Sequence, residues 1–308
     1  MIITITLAPT FDLTYHLDKV DLHEINRVNS KHIEPSGKGI NVSINLAEEG
    51  HATTAIAPIP DTPLGDLWIN MAEEKFTVRT SEASKEIRIN TSVVDKEAVT
   101  KLNEKAAELN DSEVEDLIKV VRAESINFHP HWIALCGSVH TNNAAKVGSE
   151  LKKIADESGA KFAVDCSGES MVTLLGFNPD FIKPNRDELK ELYPDMTDTK
   201  DSYIDHVKKL AARIDGTVLC TDGAKVAYAT NQKDLLEIVP PTIAGANNVG
   251  AGDASLAGYL AAESSGSDFA TAISTAMSWA SAACQNPGTA GLNLKAAKGA
   301  PATITKLS

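Results

Sequence analysis

Short apolar runs alternate with longer amphipathic stretches along most of the chain. Residues 2–8 are β-branched and nearly all apolar, which is typical of a strand buried on both faces. Apolar side chains then recur at helical spacing at Ile40, Ile44 and Ala47, and a second strand-like run follows at 52–59. Two further runs, at 132–136 and 161–165, are also predicted to be strands. Strand and helix periods that repeat in this order predict an α/β fold whose mostly parallel sheet is flanked by helices.

The alternation of strands and helices breaks between residues 86 and 102. Residues 86–94 alternate with the period of a strand, and a second strand-like run at 98–102 follows a polar turn. This pattern predicts a hairpin instead of a strand–helix–strand unit, and residues 13–33 could supply its partner strands. We therefore expect a small β-sheet lid formed by segments 10–35 and 86–105.

Composition narrows the class of protein. The 308 residues contain no Pro/Gly/Ser-rich linker, so a single α/β domain over residues 1–308 is the simplest expectation. A formal net charge of −13 without a basic block argues against a nucleic-acid partner.

The first residues resemble neither a signal peptide nor a membrane span, so we expect a cytoplasmic protein with no membrane partner. The cysteines form no Cys-x-x-Cys pair and are expected to be buried, reduced thiols: Cys136, Cys166, Cys220 and Cys284.

A glycine-rich turn leads into Asp253 and an apolar helix. Gly250 and Gly252 flank Ala251, and a helix that begins there offers unpaired backbone N–H groups and the positive end of its dipole to an anion. The glycines allow a phosphate to approach the backbone, and Asp253 is placed to take a proton from an attacking hydroxyl. These residues predict a phosphoryl-transfer site. The alternative is an ordinary helix start that carries an aspartate after a flexible turn.

Two polar positions near the amino terminus are candidates for substrate binding. Asp12 follows the first predicted strand, at the edge where open α/β sheets bind ligands, although it could also cap a turn. Lys38 lies between Gly37 and Gly39 at the entry to a helix, which brings an ammonium group close to free backbone amides. The spacing is not that of a Walker loop, and an exposed lysine on the surface is the alternative.

Four further positions offer positive charge or oxygen ligands. Arg88 and Lys101 on the predicted hairpin could reach an anionic substrate, or could simply face water. Asn185 and Glu188 stand three residues apart at the start of a helix, which is the spacing of a capping box. Their oxygens could equally hold a magnesium ion through its waters.

Several of these motifs occur together and in a characteristic order. The chain resembles the PfkB branch of the ribokinase-like sugar kinases along nearly its whole length. The resemblance lies in these motifs: Asp12, Gly37-Lys38-Gly39-Ile40-Asn41-Val42, Arg88, Gly137-Ser138, Lys183-Pro184-Asn185-x-x-Glu188, Thr221-Asp222-Gly223 and Val249-Gly250-Ala251-Gly252-Asp253. It implies a ribokinase-like, Rossmann-type core with a β-sheet lid, and transfer of the γ-phosphoryl group of Mg-ATP to a sugar hydroxyl.

The resemblance also implies residue roles. Asp253 is expected to be the general base, and an anion hole is expected from the amides of Gly250, Ala251 and Gly252. The expected sugar or sugar-phosphate contacts are Asp12, Gly37, Lys38, Asn41, Arg88, Lys101 and Ser138. The expected ATP contacts are Lys183, Asn185, Glu188, Thr221, Gly223, Gly252 and Asn286, with Asn185 and Glu188 also organising Mg²⁺ through water.

The identity of the acceptor sugar is predicted from short stretches that resemble particular members of this branch. Residues 4–9, 28–29 and 100–104 look most like those of 1-phosphofructokinases and tagatose-6-phosphate kinases. We expect fructose 1-phosphate to be converted to fructose 1,6-bisphosphate, with tagatose 6-phosphate as the alternative acceptor. Ser36 and Asn247 depart from the usual family pattern, which leaves a catalytically weak sugar-phosphate-binding homologue as a third possibility. Exposed lid strands also suggest a homodimer formed through the lid.

Overall fold

A computed structural model describes residues 1–243, 249–285, 290–293 and 301–307. The strands in chain order are β1 Ile2–Ile5, β2 Thr10–His16, β3 Ser30–Ser36, β4 Thr53–Ile59, β5 Thr77–Glu82, β6 Arg88–Val94, β7 Val99–Leu102, β8 Trp132–Cys136, β9 Lys161–Asp165, β10 Phe181–Ile182, β11 Thr217–Cys220, β12 Ala227–Thr230, β13 Leu235–Val239 and β14 Thr303–Lys306. The helices are α1 Lys38–Glu48, α2 Pro63–Glu73, α3 Asp111–Phe128, α4 Thr141–Ser158, α5 Glu169–Leu174, α6 Arg186–Leu192, α7 Lys200–Ile214, α8 Ala251–Ser264 and α9 Phe269–Ala283.

The main sheet has ten strands in the order β14-β13-β12-β11-β10-β9-β8-β1-β4-β5. From β5 to β11 neighbouring strands are parallel, whereas the pairs from β11 to β14 are antiparallel. The predicted mostly parallel sheet is therefore confirmed. The edge strand β14 was not predicted from the sequence.

Helices cover both faces of this sheet. Because side chains alternate between the faces of a strand, Ile2 and Trp132 pack with residues of α1, α8 and α9, while Ile3 and Ile133 pack with residues of α3 and α4. Strands buried in this way on both sides are nearly continuous apolar runs, which is why β1 and β8 were recognisable in the sequence. No helix in the described part of the chain has the length and apolar character needed to cross a membrane.

The first strand is shorter than the predicted range of 2–8. Thr6 still donates its backbone N–H to Ile56 O at 3.0 Å, but the chain then leaves the main sheet and enters a second one at Thr10. Leu7 and Ala8 are buried although they lie outside any strand. Their apolar character therefore reflects burial in the connection between the two sheets.

The second sheet has four strands in the order β3-β2-β6-β7. β2 pairs with β6 in parallel, and β6 and β7 form the antiparallel hairpin that the sequence predicted. Phe11 and Ile89 pack against the cluster that contains Trp68 of α2, and the Trp68 indole donates to Thr10 O at 2.9 Å. These contacts fix the base of the small sheet beside the start of α1.

Candidate active site

The starts of α1 and α8 meet at the carboxyl edge of the main sheet. Asn41 Nδ2 in α1 donates a hydrogen bond to Asp253 Oδ2 in α8 at 2.8 Å, and both side chains are buried. Each helix begins at a glycine in the left-handed region, with φ of 134° at Gly37 and 77° at Gly250. Other residues rarely adopt such angles, so the glycines of both motifs are needed by the backbone itself.

The buried position of Asp253 changes its protonation. Burial raises the pKa of its carboxyl to about 6, and repulsion from Asp165 acts in the same direction. Lys38, the hydrogen bond from Asn41, and Lys183 act in the opposite direction. A carboxyl with a pKa close to neutrality is well matched to accept a proton from a hydroxyl group.

Asp165 at the end of β9 joins two of the predicted site lysines. Lys38 Nζ lies 3.1 Å from Asp165 Oδ1, and Lys183 Nζ lies 3.4 Å from Asp165 Oδ2. Burial opposes ionisation of Asp165 most strongly, but the two ammonium groups outweigh it and lower the pKa of this carboxyl. Asp165 in turn raises the pKa of Lys38, which keeps that side chain charged.

Sequence reasoning missed Asp165, although it recognised the strand that ends there. The signal that selected Asp12, a carboxylate at the carboxyl end of a buried parallel strand, applies equally to Asp165. Only the fold shows that Lys38 and Lys183, on separate elements, converge on it.

Asp12 and Arg88 lie on neighbouring strands of the small sheet. Asn90 Nδ2, from a residue that was not predicted, donates to Asp12 Oδ1 at 3.3 Å. Burial raises the pKa of Asp12, while hydrogen bonding by Ser36 and Asn90 lowers it. The Arg88 guanidinium donates to Ala8 O at 3.0 Å and to Glu104 O at 3.3 Å, and it lines a cavity of about 110 Å³ at the base of the small sheet.

Lys101 and Ser138 are less closely connected to these residues. Lys101 lies opposite Ser92 on the exposed edge strand β7, and within the described ranges it forms no ion pair. Ser138 is exposed and follows Gly137, whose N–H donates to Asp165 O at 2.9 Å. Ser138 therefore lies next to the lysine–aspartate cluster, whereas Lys101 does not.

Asn185 and Glu188 form a reciprocal capping box at the start of α6. Glu188 N donates to Asn185 Oδ1 at 2.9 Å, and Asn185 N donates to Glu188 Oε2 at 2.8 Å. Asn185 is exposed and Glu188 is half-buried, so their oxygens remain accessible to a hydrated magnesium ion. In the part of the chain that is described, no cluster of three or more His, Cys, Asp or Glu side chains could hold a metal directly.

A mainly apolar cleft of about 200 Å³ lies on the other side of the α8 start. Thr221, Gly223 and Gly252 line it together with apolar side chains such as Ile243 and Met277. Met277 of α9 is buried in the core and also borders this cleft. Asn286 and the departure at Asn247 lie outside the described residues.

The cleft and the α1–α8 junction therefore share Gly252 and a helix start that favours anions. This arrangement suits an enzyme that holds a nucleotide on one side of α8 and a polar acceptor on the other.

The family model for "pfkB family carbohydrate kinase" matches residues 5–296, and the chain belongs to that family. It is accordingly a sugar kinase, an enzyme that transfers a phosphoryl group to an alcohol group.

Individual relatives agree with the family. A protein named 1-phosphofructokinase from Rhodobacter capsulatus is 28% identical over 271 residues, which cover 87% of this chain and 85% of that protein. Phosphofructokinase-2 from Escherichia coli in complex with potassium has the same fold, with a TM-score of 0.86, 24% identity and coverage of 97% of both chains. Its complex with fructose-6-phosphate gives a TM-score of 0.82 at 23% identity, over 92% of this chain and 93% of that one.

Proposed function

We propose that the chain is an ATP-dependent kinase whose acceptor is a sugar phosphate, with fructose 1-phosphate converted to fructose 1,6-bisphosphate. The observation that carries the proposal is Asp253, a buried carboxyl with a pKa of about 6 beside the start of α8. The name of the Rhodobacter capsulatus relative and the likeness at residues 4–9 and 100–104 support the choice of acceptor.

In this proposal Asp253 takes the proton of the sugar hydroxyl. The hydroxyl oxygen forms a bond to the γ-phosphorus of ATP while the bond from that phosphorus to the β,γ-bridging oxygen breaks, and ADP leaves with the electron pair. The N–H groups of Gly250, Ala251 and Gly252, at the start of α8, would form the anion hole for the transferring group. Lys38 and Lys183 supply positive charge within the same cluster, so negative charge that develops on the phosphoryl oxygens is stabilised by groups already in place.

In this proposal ATP binds in the cleft beside Thr221 and Gly223. Its apolar walls suit a planar base, and Gly252 lies between that cleft and Asp253, which suits the phosphates. Asn185 and Glu188 would organise Mg²⁺ through its waters, and the ion would neutralise charge on the nucleotide phosphates.

The acceptor's own phosphate needs a cation near Asp12, and Arg88 supplies it. Its Nε atom is buried and has no hydrogen-bond partner among the described residues. A phosphate is the natural partner for a guanidinium group that has donors to spare. Because the protein as a whole carries a charge of −13, a second anionic group on the substrate requires such a local cation.

An acceptor panel tests the proposal. ADP release should be measured with fructose 1-phosphate, tagatose 6-phosphate, fructose 6-phosphate and fructose, and we expect the highest kcat/KM with fructose 1-phosphate. Arg88→Ala should raise KM for that acceptor by about tenfold or more and change KM for ATP much less, because a charge-assisted contact is lost. Lys96→Ala, which removes an exposed cation from the same hairpin, is the matched control.

Each other result has a defined meaning. A preference for unphosphorylated fructose would contradict the role of Arg88. A preference for tagatose 6-phosphate would replace the acceptor but keep the mechanism. ATP binding without turnover of any acceptor would leave a catalytically weak binding homologue.

The quaternary structure is part of the proposal. Apolar side chains are exposed on the small sheet and its long β2–β3 connection, including Ile25 at 85% and Leu102 at 61% exposure. We infer that two copies of the chain pair through this sheet.

A further inference from the structure

A chain of two hydrogen bonds runs from the small sheet to the proposed base. Ser36 Oγ donates to Asn41 Oδ1 at 3.2 Å, and Asn41 Nδ2 donates to Asp253 Oδ2 at 2.8 Å. The exposed fractions of the three residues are 2%, 6% and 7%. The Asn41 amide is therefore held between two buried partners that lie on different elements, β3 and α8.

The direction of these hydrogen bonds is fixed by chemistry. An ionised carboxylate only accepts hydrogen bonds, so the Asn41 amide must turn its NH₂ group toward Asp253. Its carbonyl oxygen then faces Ser36 and requires a donor there. A hydroxyl supplies that donor, whereas alanine would leave a buried oxygen unpaired and remove the contact that holds the amide in place.

We propose that Ser36 is a positioning residue for phosphoryl transfer, because its hydroxyl holds the Asn41 amide in the one orientation that donates to the base Asp253. This inference rests on the proposed function for its catalytic consequence. The hydrogen bonds themselves do not depend on which sugar phosphate is the acceptor.

The position of Ser36 connects this orientation to the small sheet. Ser36 is the last residue of β3 and pairs with Thr10 of β2, only two residues before α1 begins at Lys38. The Ser36 hydroxyl has only one proton to donate. Asp12 competes with Asn41 for it, since hydrogen bonding by Ser36 also lowers the pKa of Asp12. A shift of β3 that turned Ser36 toward Asp12 would release Asn41, so the alignment of the base depends on the placement of this strand.

Loss of the Ser36 hydroxyl should therefore change both rate and pH dependence. In Ser36→Ala the Asn41 oxygen has lost its donor, so the amide can turn over when Asp253 is protonated and accept a hydrogen bond from that carboxyl. We expect kcat to fall about tenfold while KM for ATP changes little. The charged groups that face Asp253, Asp165 on β9, Lys38 on α1 and Lys183 after β10, remain in place. Because the Asn41 hydrogen bond lowers the pKa of Asp253, the acid limb of kcat/KM should move to higher pH.

Two further variants distinguish a role of Ser36 in orienting the Asn41 amide from a role in filling space. Ser36→Gly opens a space of about one water molecule, and a water there can donate to Asn41, so Ser36→Gly should lose less activity than Ser36→Ala. A residue needed only to fill space would give the opposite order. Ser36→Cys, which keeps the size of the side chain but donates weakly, should lie between Ala and the wild type.

Ser43→Ala is the matched control. Ser43 is also buried on α1, but it bonds to Thr4 and Thr53 within the core, away from Asp253. We expect wild-type kcat and an unchanged pH profile from this variant.

A measurement on the free protein makes the test independent of the acceptor. The carboxyl carbon of Asp253, assigned by comparison with Asp253→Asn, can be titrated by NMR in protein labelled at aspartate Cγ. We expect its midpoint to rise in Ser36→Ala and to stay unchanged in Ser43→Ala. Such a rise in a protein that phosphorylates no sugar phosphate would support the positioning role and contradict the proposed function. Normal kinase activity with an unchanged Asp253 midpoint in Ser36→Ala, or a greater loss in Ser36→Gly than in Ser36→Ala, would overturn the inference.

Discussion

Asp253 is buried next to a second carboxylate, and this placement gives it a useful pKa but opposes folding. Desolvation and Asp165 both disfavour its charged form, while Asn41 and Lys38 offset only part of that effect. The folded pKa of about 6 lies above the ordinary value of 3.8. Proteins commonly lose stability at the residues that carry their chemistry, and Asp253 is such a position.

Asp253→Asn should therefore abolish turnover and stabilise the fold. We expect nearly all activity to be lost, with ATP affinity within several-fold of the wild type, because the missing proton acceptor affects the transition state more than the ground state. Above pH 6 the carboxyl of the wild type is charged in both the folded and unfolded states, so its burial is unfavourable. Below about pH 4 it is protonated in both, and the penalty disappears.

Denaturant unfolding of both proteins between pH 4 and pH 8 checks this expectation. The free energy of unfolding of Asp253→Asn should exceed that of the wild type by on the order of 2–3 kcal/mol at pH 8, and the difference should shrink as pH falls from 6 to 4. Asp116→Asn on α3, where the side chain is 43% exposed, is the control. A stability gap independent of pH, or retention of most of the wild-type rate, would contradict the role given to Asp253.

At the scale of elements, the small sheet joins distant parts of the chain at one edge of the site. β2 and β3 precede α1, while β6 and β7 come after α2 and β5, and the parallel β2–β6 pairing puts Asp12 beside Asn90. The same register sets Thr10 between Ser36 and Arg88. A movement of this sheet would therefore shift the proposed sugar contacts together.

The hairpin of β6 and β7 is expected to close over bound sugar phosphate. Closure would exclude water, which otherwise competes with the sugar for the phosphoryl group, and the acceptor's phosphate would hold Arg88 in the closed position. Hydrogen exchange of amides from Ile87 to Leu102 should slow when sugar phosphate is added and change less with ATP alone. Amides of the buried strand β8 serve as the internal reference. Equal exchange in the free protein and at saturating sugar phosphate would make the hairpin a fixed element.

Local sequence patterns were sufficient for most elements but not for contacts between them. β8 and β9 were predicted at their observed bounds because buried parallel strands are continuous apolar runs. The capping box of Asn185 and Glu188 is likewise local, since its spacing fixes both hydrogen bonds. β14 was missed because a four-residue edge strand carries too little pattern to recognise without its partner β13.

The contacts that sequence reasoning missed in the site have a different cause. Asp165 receives its lysines from two other elements, and the Asn41 side chain lies 212 positions from Asp253 in sequence. Nothing in the spacing of such residues indicates that their side chains meet. The conformations of Gly37 and Gly250, in contrast, follow from local helix starts that the sequence marks with glycine.

The whole molecule combines a net negative charge with apolar side chains that are exposed on the small sheet and its β2–β3 connection. Its charge of −13 disfavours nonspecific association between copies, whereas Ile25 and Leu102 expose apolar surface on the small sheet. β3 and β7 are the edge strands of the small sheet, and edge strands are common sites of pairing with another chain. Pairing of two small sheets would bury the exposed apolar side chains and cover edge strands.

A homodimer through the small sheet is therefore expected, and sedimentation equilibrium at micromolar concentration should detect it. Ile25→Asp should weaken dimerisation by about a hundredfold or more, because the carboxylate would be buried in an apolar interface. Ile126→Asp is the matched control, since Ile126 is 65% exposed on α3, outside the small sheet. The proposed homodimer is contradicted if the wild type sediments as a monomer throughout this concentration range, or if Ile126→Asp dissociates as readily as Ile25→Asp.

Because the same sheet carries Arg88 and Asp12, a dimer formed there should also lower KM for the sugar phosphate. Ile25→Asp should therefore raise that KM without changing KM for ATP.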